Sequence, residues 1–157
     1  MKKLDLAAIP LESGCNYPHP FDRPCLGSDW RRLGRAAGLT AFGVNLSRLP
    51  PGVWSSQRHW HTHEDEFVFV VQGELVLVTD TGEELLRAGD CAAFKAGDSD
   101  GHHLINRSGR DAIVLEVGNS VPGEDVCDYP DIDMVAKPGL KPYFHRDGTP
   151  YPINPGT

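Results

Sequence analysis

Short apolar segments separated by glycine-containing turns fill the middle of this chain and limit the folds open to it. Turn signals recur at Gly73, Gly82, Gly89, Gly97 and Gly109. Short strands at this spacing are typical of an antiparallel sandwich or barrel. No helical period longer than two turns runs through residues 39–118. We therefore predict an all-β barrel over that range.

The residue pattern places individual strands within this barrel. Alternating apolar residues indicate a strand beginning at Phe42 and ending before Pro50. The unbroken run Phe67–Val71 indicates a strand covered on both faces. Cys91 falls in another apolar run and is expected to be buried. Further strands are predicted at residues 75–78, 84–86, 91–94, 103–105 and 112–117.

The two ends of the chain differ from the barrel. Residues 1–38 are interrupted by prolines, which lack a backbone donor, so we predict an irregular N-terminal arm with at most a short helix from Ser28. Residues 119–157 are rich in Pro, Gly and Asp but keep several aromatic side chains. We expect this C-terminal arm to pack on its own barrel or on a partner, with disorder over residues 146–157 as the alternative.

Composition excludes several classes of partner. Lys and Arg number 15 and Asp and Glu number 22, for a formal charge of −7. Nucleic-acid binding requires clustered basic residues, so we expect none. No stretch approaches the roughly 20 apolar residues of a membrane helix, and no apolar run follows the basic start at Lys2 and Lys3. We expect a cytoplasmic protein without membrane contact, whose four cysteines are free thiols.

Three imidazoles and one carboxylate form the pattern most suggestive of function. His59 and His61 are two residues apart, so on a strand they project to the same face. Glu66 follows a short turn and can swing back toward them, and His102 can arrive from a neighbouring strand. Such nitrogen and oxygen donors bind transition metals. Four protein ligands leave room for substrate or water, which favours a catalytic site over a structural one.

Residues 52–73 resemble the first sequence motif of the cupin superfamily, G-x5-H-x-H-x3,4-E-x6-G. His59, His61, Glu66 and Gly73 match it in identity and spacing. Gly52 departs from it, because six residues rather than five separate it from His59.

Residues 89–106 resemble the second cupin motif, G-x5-P-x-G-x2-H-x3-N. Gly89 and Gly97 match it, as do His102 and Asn106 in their mutual spacing. Lys95 stands where proline is usual, and four residues rather than two separate Gly97 from His102. These three departures from the motifs affect loops that precede ligands, so they bear on loop shape more than on ligand identity.

The resemblance implies a double-stranded β-helix, also called a jelly-roll barrel. It also implies that His59, His61, Glu66 and His102 bind one divalent metal ion, often Fe, Mn, Ni or Zn. The run Arg58–His61 is similar to that of small single-domain bacterial cupins, some of them described as sugar-phosphate isomerases.

We therefore predict a metal-binding small cupin that acts on a small polar or anionic molecule, such as a sugar phosphate or a keto acid. The reaction classes that fit are isomerase, lyase and dioxygenase. A non-catalytic small-molecule-binding or sensor cupin is the alternative. A homodimer is expected, because partners often cover the edges and the apolar outer face of a jelly roll.

Neighbouring residues compete for some of these ligand positions. His63 shares strand parity with His59 and His61, but only two residues separate it from Glu66, so we assign it to the rim of the site. Glu64 and Asp65 are expected to be solvated turn residues.

Two residues near His102 are given other roles. His103 would face the opposite side of a strand from His102, so we expect it on the exterior or in an interface. Asn106 is expected to cap the turn over residues 106–109 through side-chain hydrogen bonds.

Overall fold

Antiparallel strands account for most of the regular structure of the chain. The computed structural model describes residues 3–121, 123–139 and 143–152. Its strands are β1 (Glu12–Ser13), β2 (Asp29–Arg32), β3 (Phe42–Leu49), β4 (Trp60–His61), β5 (Glu66–Gln72), β6 (Glu74–Thr79), β7 (Gly82–Arg87), β8 (Cys91–Phe94), β9 (His103–Ile105), β10 (Ala112–Asn119), β11 (Cys127–Tyr129) and β12 (Met134–Ala136). The all-β prediction is confirmed, and the described residues hold no helix long and apolar enough to cross a membrane.

Three antiparallel sheets build the barrel. The largest has the order β1-β2-β3-β10-β5-β8, a second has the order β7-β6-β9, and a third has the order β12-β11-β4. The first two sheets face each other, because their inward side chains form one buried cluster. This arrangement is that of the predicted double-stranded β-helix.

The barrel core follows the two-residue alternation of its strands. On β10, Ala112 and Val114 point inward and are fully buried. Burying each such valine or leucine side chain stabilises the fold by about 1.5–3 kcal/mol. The cluster comprises Leu49, Val68, Val70, Leu75, Leu77, Leu86, Leu104, Ala112 and Val114.

The outer face of the large sheet is apolar and exposed in the single chain. Phe67, Phe69 and Val71 of β5 are 39%, 37% and 48% exposed, so this strand is covered on one face only. Cys91 lies opposite Phe69 in the register and shares this face. The expectation that Cys91 is buried was therefore wrong, because the apolar run around it does not show which side of the strand faces the core.

Part of the N-terminal region joins the large sheet instead of forming an irregular arm. Strand β2 pairs with residues 45–48 of β3, and β1 pairs with β2. The expected helix from Ser28 is replaced by this strand, because pairing with β3 outweighs the local helix signal. The chain then forms α1 (Leu33–Ala37), which ends at Gly38 in the left-handed conformation with φ of 74°.

The described part of the C-terminal region packs on its own barrel. Strand β11 pairs with β4, the strand that carries His61, and also with β12. Cys127, Tyr129 and Met134 are buried there against a group of aromatic rings. These rings belong to Tyr17, Phe21, Tyr143 and Tyr151. Residues 153–157 of the expected tail lie outside the described part of the chain.

Candidate metal centre

Three imidazole nitrogens converge on one carboxylate oxygen. The distances from Oε2 of Glu66 are 2.9 Å to Nε2 of His102, 3.5 Å to Nε2 of His59 and 3.7 Å to Nε2 of His61. The fold thus brings together all four residues expected from the sequence, although more than forty positions separate the first from the last.

Backbone pairing sets these side chains in place. His59 and His102 form an antiparallel bridge, with N–H···O distances of 3.1 and 2.8 Å in the two directions. Their imidazole ring centres are consequently 4.8 Å apart. Glu66 begins β5 and lies opposite Gly118 of β10. A Cβ atom at Gly118 would be in ordinary contact with Cγ of Glu66, at 3.7 Å, but only 3.2 Å from the backbone oxygen of Asp65, so a larger residue would press on the backbone just before Glu66.

The far nitrogens of two histidines fix the tautomers of their rings. Nδ1 of His59 lies 2.9 Å from the carbonyl oxygen of Gln57, and Nδ1 of His61 lies 2.7 Å from Oδ2 of Asp125. Both partners accept hydrogen bonds, so each Nδ1 carries the proton and donates it. In the neutral ring Nε2 then presents a lone pair, as metal-bound histidines do.

This arrangement fits a bound cation. Two imidazole lone pairs face a carboxylate oxygen, and such electron-rich groups repel one another unless a proton or a metal ion lies between them. His102 differs from the other two histidines, because its Nδ1 is buried without a hydrogen-bond partner among the described residues and its ring is held by stacking on Phe94, with centroids 3.4 Å apart. The ligand atoms of His59, Glu66 and His102 all lie within 4.8 Å of one another.

The pKa shifts within the cluster also indicate that it would stabilise a bound positive charge. Burial opposes ionisation of Glu66, but hydrogen bonding to His102 and His59 outweighs it and holds the pKa of that carboxyl far below its usual range. Burial also favours neutral His59, yet the hydrogen bond and charge of Glu66 raise the pKa of its imidazole. At His102 burial prevails and lowers the pKa.

The competing residues of the first motif lie at the edge of the site. His63 is exposed, and its Nδ1 is 2.8 Å from Oγ1 of Thr62. Asp65 accepts a hydrogen bond from the backbone of Ala96 and faces solvent. Glu64 is half-buried and accepts from the backbone of Val121, so it is more enclosed than the expected solvated turn residue.

The two assignments made near His102 had different outcomes. The exterior position expected for His103 was wrong, because the segment that precedes His59 covers its strand. Its ring is buried, with Nδ1 at 3.0 Å from the carbonyl of Ser56 and its centroid 4.6 Å from that of Trp54. The capping role of Asn106 is confirmed, because its Oδ1 accepts from both the backbone and the hydroxyl of Ser108.

A cavity of about 400 Å³ opens beside the cluster. His59, Glu66 and His102 form part of its wall, together with Asn45 and Glu116. This volume suits a small organic molecule. An ion held by the cluster would therefore border a space large enough for a substrate.

Glu116 is a half-buried acid of this cavity that the sequence reasoning passed over. It lies on β10 two residues after the fully buried Val114, so it faces the barrel interior, and its Oε2 accepts a hydrogen bond of 2.9 Å from the Ser47 hydroxyl. Burial, with a smaller contribution from the charge of Glu66, raises the pKa of Glu116 to about 7. The sequence did contain a signal for this residue, namely a single acidic residue within an otherwise apolar strand.

Asp125, Cys127 and Tyr129 also escaped the sequence reasoning. All three belong to the segment that pairs with β4, and they contact the histidines through pairing across more than sixty positions. The ring of Tyr129 stacks on His59 with centroids 5.8 Å apart. No local pattern in the C-terminal region marks these residues, because their role arises only from the strand pairing.

Comparison with known proteins places the chain in a family. The Cupin domain profile matches residues 45–118. A sugar phosphate isomerase from a cupin superfamily of Silicibacter pomeroyi DSS-3 has a similar structure, with a TM-score of 0.90 and 44% identity over 96% of this chain and 97% of that one. No curated protein matches the sequence.

Two further solved structures share the fold at lower identity. A protein from Acidithiobacillus ferrooxidans is 24% identical over 87% of this chain and 86% of its own, with a TM-score of 0.74. A protein from Thermotoga maritima is 23% identical over 76% of this chain and all of its own, with a TM-score of 0.62. On its fold, its motifs and the 44% identical structure, this chain belongs to the cupin superfamily.

Proposed function

We propose that this cupin binds one divalent metal ion through His59, His61, Glu66 and His102, and that it is a metal-dependent isomerase of a small polar molecule. The observation that carries the proposal is the convergence of three Nε2 atoms within 3.7 Å of one Glu66 oxygen, at the wall of a cavity of about 400 Å³. The 44% identical structure called a sugar phosphate isomerase supports the reaction class and a sugar-phosphate substrate.

The ligand set leaves the choice of metal open among Zn, Fe, Mn and Ni, all of which accept imidazole and carboxylate ligands. With three neutral imidazoles and one carboxylate, a divalent ion would keep about one net positive charge. A bound ion would act as a Lewis acid that polarises a substrate carbonyl. The cavity wall would displace part of the surrounding water from a bound substrate and strengthen that interaction.

Glu116 is the group we assign to proton transfer. Isomerisation between a hydroxyaldehyde and a hydroxyketone moves a proton between neighbouring carbons, so it requires a group that takes the proton up and returns it. A carboxyl whose pKa is raised to about 7 can do both near neutral pH. The Ser47 hydroxyl donates to Oε2 of Glu116 and would keep the carboxyl oriented toward the cavity.

The test combines metal content with turnover. Protein purified without a chelating column is analysed for its elements and then incubated with a panel of sugar phosphates and keto acids, while O₂ consumption is followed. We expect about one divalent ion per chain, isomerised product and no O₂ uptake. His61→Ala should lose both metal and turnover, and His63→Ala, which changes an exposed histidine of the same segment, should retain both.

The other outcomes of this experiment separate the alternatives. O₂ uptake that depends on substrate would replace the isomerase assignment with a dioxygenase, and a cleaved product would replace it with a lyase. A ligand that binds but is recovered unchanged would favour a non-catalytic binding or sensor protein. Full metal occupancy in His61→Ala would overturn the proposed ligand set.

We also propose that the protein is a homodimer. The exposed side chains of Phe67, Phe69 and Val71 form an apolar strip on the outer face of the large sheet. A contiguous apolar surface of this kind is typical of an interface, and cupin sheets offer such a face to a second copy. Light scattering should give twice the chain mass, and Phe69→Glu should shift it to the monomer without changing metal content. A wild-type monomer at all concentrations would contradict the proposal.

A further inference from the structure

A second set of metal donors overlaps the first. One ligand atom each from His59, His61 and Cys127 lie within 4.8 Å of one another. Cys127 lies directly opposite His61 where β11 pairs with β4. This register brings the thiol to the two histidines from the side of the C-terminal region, whereas Glu66 reaches them from the large sheet.

The thiol is enclosed but has a route to solvent. Cys127 is only 6% exposed, and the neighbouring Tyr129 covers His59 on the same side. A cavity of about 330 Å³ borders the two histidines and Cys127, together with Asp125 and Lys137. Among the described residues, this cavity gives an ion an approach to the thiol that is separate from the larger cavity beside Glu66.

The chemistry of this donor set differs from that of the first. A bound divalent ion would displace the thiol proton, and the resulting thiolate is a soft ligand. Thiolate and imidazole favour zinc, whereas carboxylate suits harder ions such as manganese.

We propose that Cys127 is an additional metal ligand that binds soft divalent ions such as Zn²⁺ together with His59 and His61. Harder ions such as Mn²⁺ are held by the two histidines with Glu66 and His102. Typical Zn–N distances of about 2.0–2.1 Å and Zn–S distances of about 2.3 Å place tetrahedral ligand atoms roughly 3.5 Å apart. The donors of the Cys127 set, which lie within 4.8 Å of one another, would therefore draw together when they bind one ion. This inference rests on the proposed metal centre but not on its catalytic activity.

X-ray absorption of the zinc-loaded full chain tests the proposal directly. The wild type should show a sulfur neighbour at about 2.3 Å in addition to nitrogen or oxygen neighbours. The sulfur neighbour should disappear in Cys127→Ser. It should persist in Cys91→Ser, the matched control, because Cys91 is an exposed thiol on the outer sheet.

Metal affinity provides a second measurement that does not depend on turnover. In Cys127→Ser, Zn²⁺ affinity should fall by on the order of tenfold or more, whereas Mn²⁺ affinity should stay nearly unchanged. The wild-type spectrum alone decides the question if Cys127→Ser fails to fold. Zinc bound only by nitrogen and oxygen, or a sulfur neighbour that survives in Cys127→Ser, overturns the role of Cys127 and leaves the four-ligand centre intact. Absence of binding by either ion would instead overturn the centre itself.

Discussion

Strands β5 and β10 each run through two chemically different halves of the same barrel. At one half their inward residues are apolar, with Val70 and Val114 fully buried. At the other half the inward positions hold Glu66 and Glu116. The alternation of side chains is the same in both halves, so the backbone places a valine and a glutamate equally well. This comparison indicates that the two halves have different roles. The apolar half stabilises the fold, whereas the polar half forms the site and lowers the stability of the fold.

The largest expected effect is in the apolar half. Leu75→Ala removes a fully buried side chain and should lower the free energy of unfolding by about 2–5 kcal/mol, while the metal stoichiometry of the folded protein stays unchanged. Leu85→Ala, on the strand paired with β6, is the control and should change stability by less than about 0.5 kcal/mol because Leu85 is exposed. Urea denaturation measures both. Equal losses of unfolding free energy in the two variants would contradict the assignment of the stabilising role to the buried apolar half of the barrel.

Removing the half-buried acid Glu116 of the polar half should instead raise the free energy of unfolding at high pH. The folded pKa of Glu116 is raised to about 7 from an ordinary 4.5, so the unfolded chain ionises first and wild-type stability falls as pH rises between these values. Relative to wild type, Glu116→Gln should gain up to about 3 kcal/mol at pH near 8 compared with pH near 4. Urea denaturation at the two pH values provides the measurement.

Glu83 supplies the control for that pH dependence. Its carboxyl pairs with Arg107 on the surface, and the hydrogen bond lowers the pKa of Glu83. The stability from that pair is present above the ordinary pKa and is lost as pH falls, so Glu83→Gln should give a pH dependence of opposite sign and small size. A pH-independent difference between Glu116→Gln and wild type would show that Glu116 is not an enclosed acid.

Metal binding should depend on the polar half alone. Glu66→Gln removes the carboxylate on which the histidines converge and should weaken Mn²⁺ binding by on the order of 100-fold, or about 2.7 kcal/mol. Glu64→Gln, two residues earlier, should have a much smaller effect because Glu64 hydrogen-bonds the backbone of Val121. Isothermal titration calorimetry measures both affinities. A stronger effect of Glu64→Gln would exchange the roles of the two acids.

The smallest expected effect concerns the hydrogen bond behind His61. Asp125→Asn keeps the size of the side chain but weakens its hold on Nδ1 of His61, so metal affinity should fall by roughly tenfold. Asp128→Asn lies on the same strand segment but pairs with Arg146, and it should leave the metal affinity unchanged. The same titration provides the comparison, and unchanged affinity in both variants would show that His61 needs no orienting partner.

The strand pattern could be predicted from the sequence, but the inward face could not. Strand β9 begins and ends where residues 103–105 predicted, and the motif spacing selected the four residues that converge. Alternation defines two faces without saying which is buried, so Phe69 is exposed whereas its neighbour Val70 is fully buried. Cys91 was misplaced for the same reason.

Residues brought in by long-range pairing were also beyond prediction. Strand β2 forms because it pairs with the edge of β3, and no local signal in residues 29–32 indicated a strand. The roles of Asp125 and Cys127 depend on the pairing of β11 with β4. Spacing rules relate residues near one another in the chain, so they find ligands within a motif and miss those supplied by a distant segment.

The hydrogen bond between His61 and Asp125 has a thermodynamic consequence. It joins the centre to the C-terminal segment, whose docking positions both Asp125 and Cys127. If an ion binds more tightly when this segment is docked, occupancy must in turn favour docking by the same free energy. Protection of β11 against hydrogen exchange would then rise with metal concentration, so the terminal segment would report on a site formed mostly by other strands.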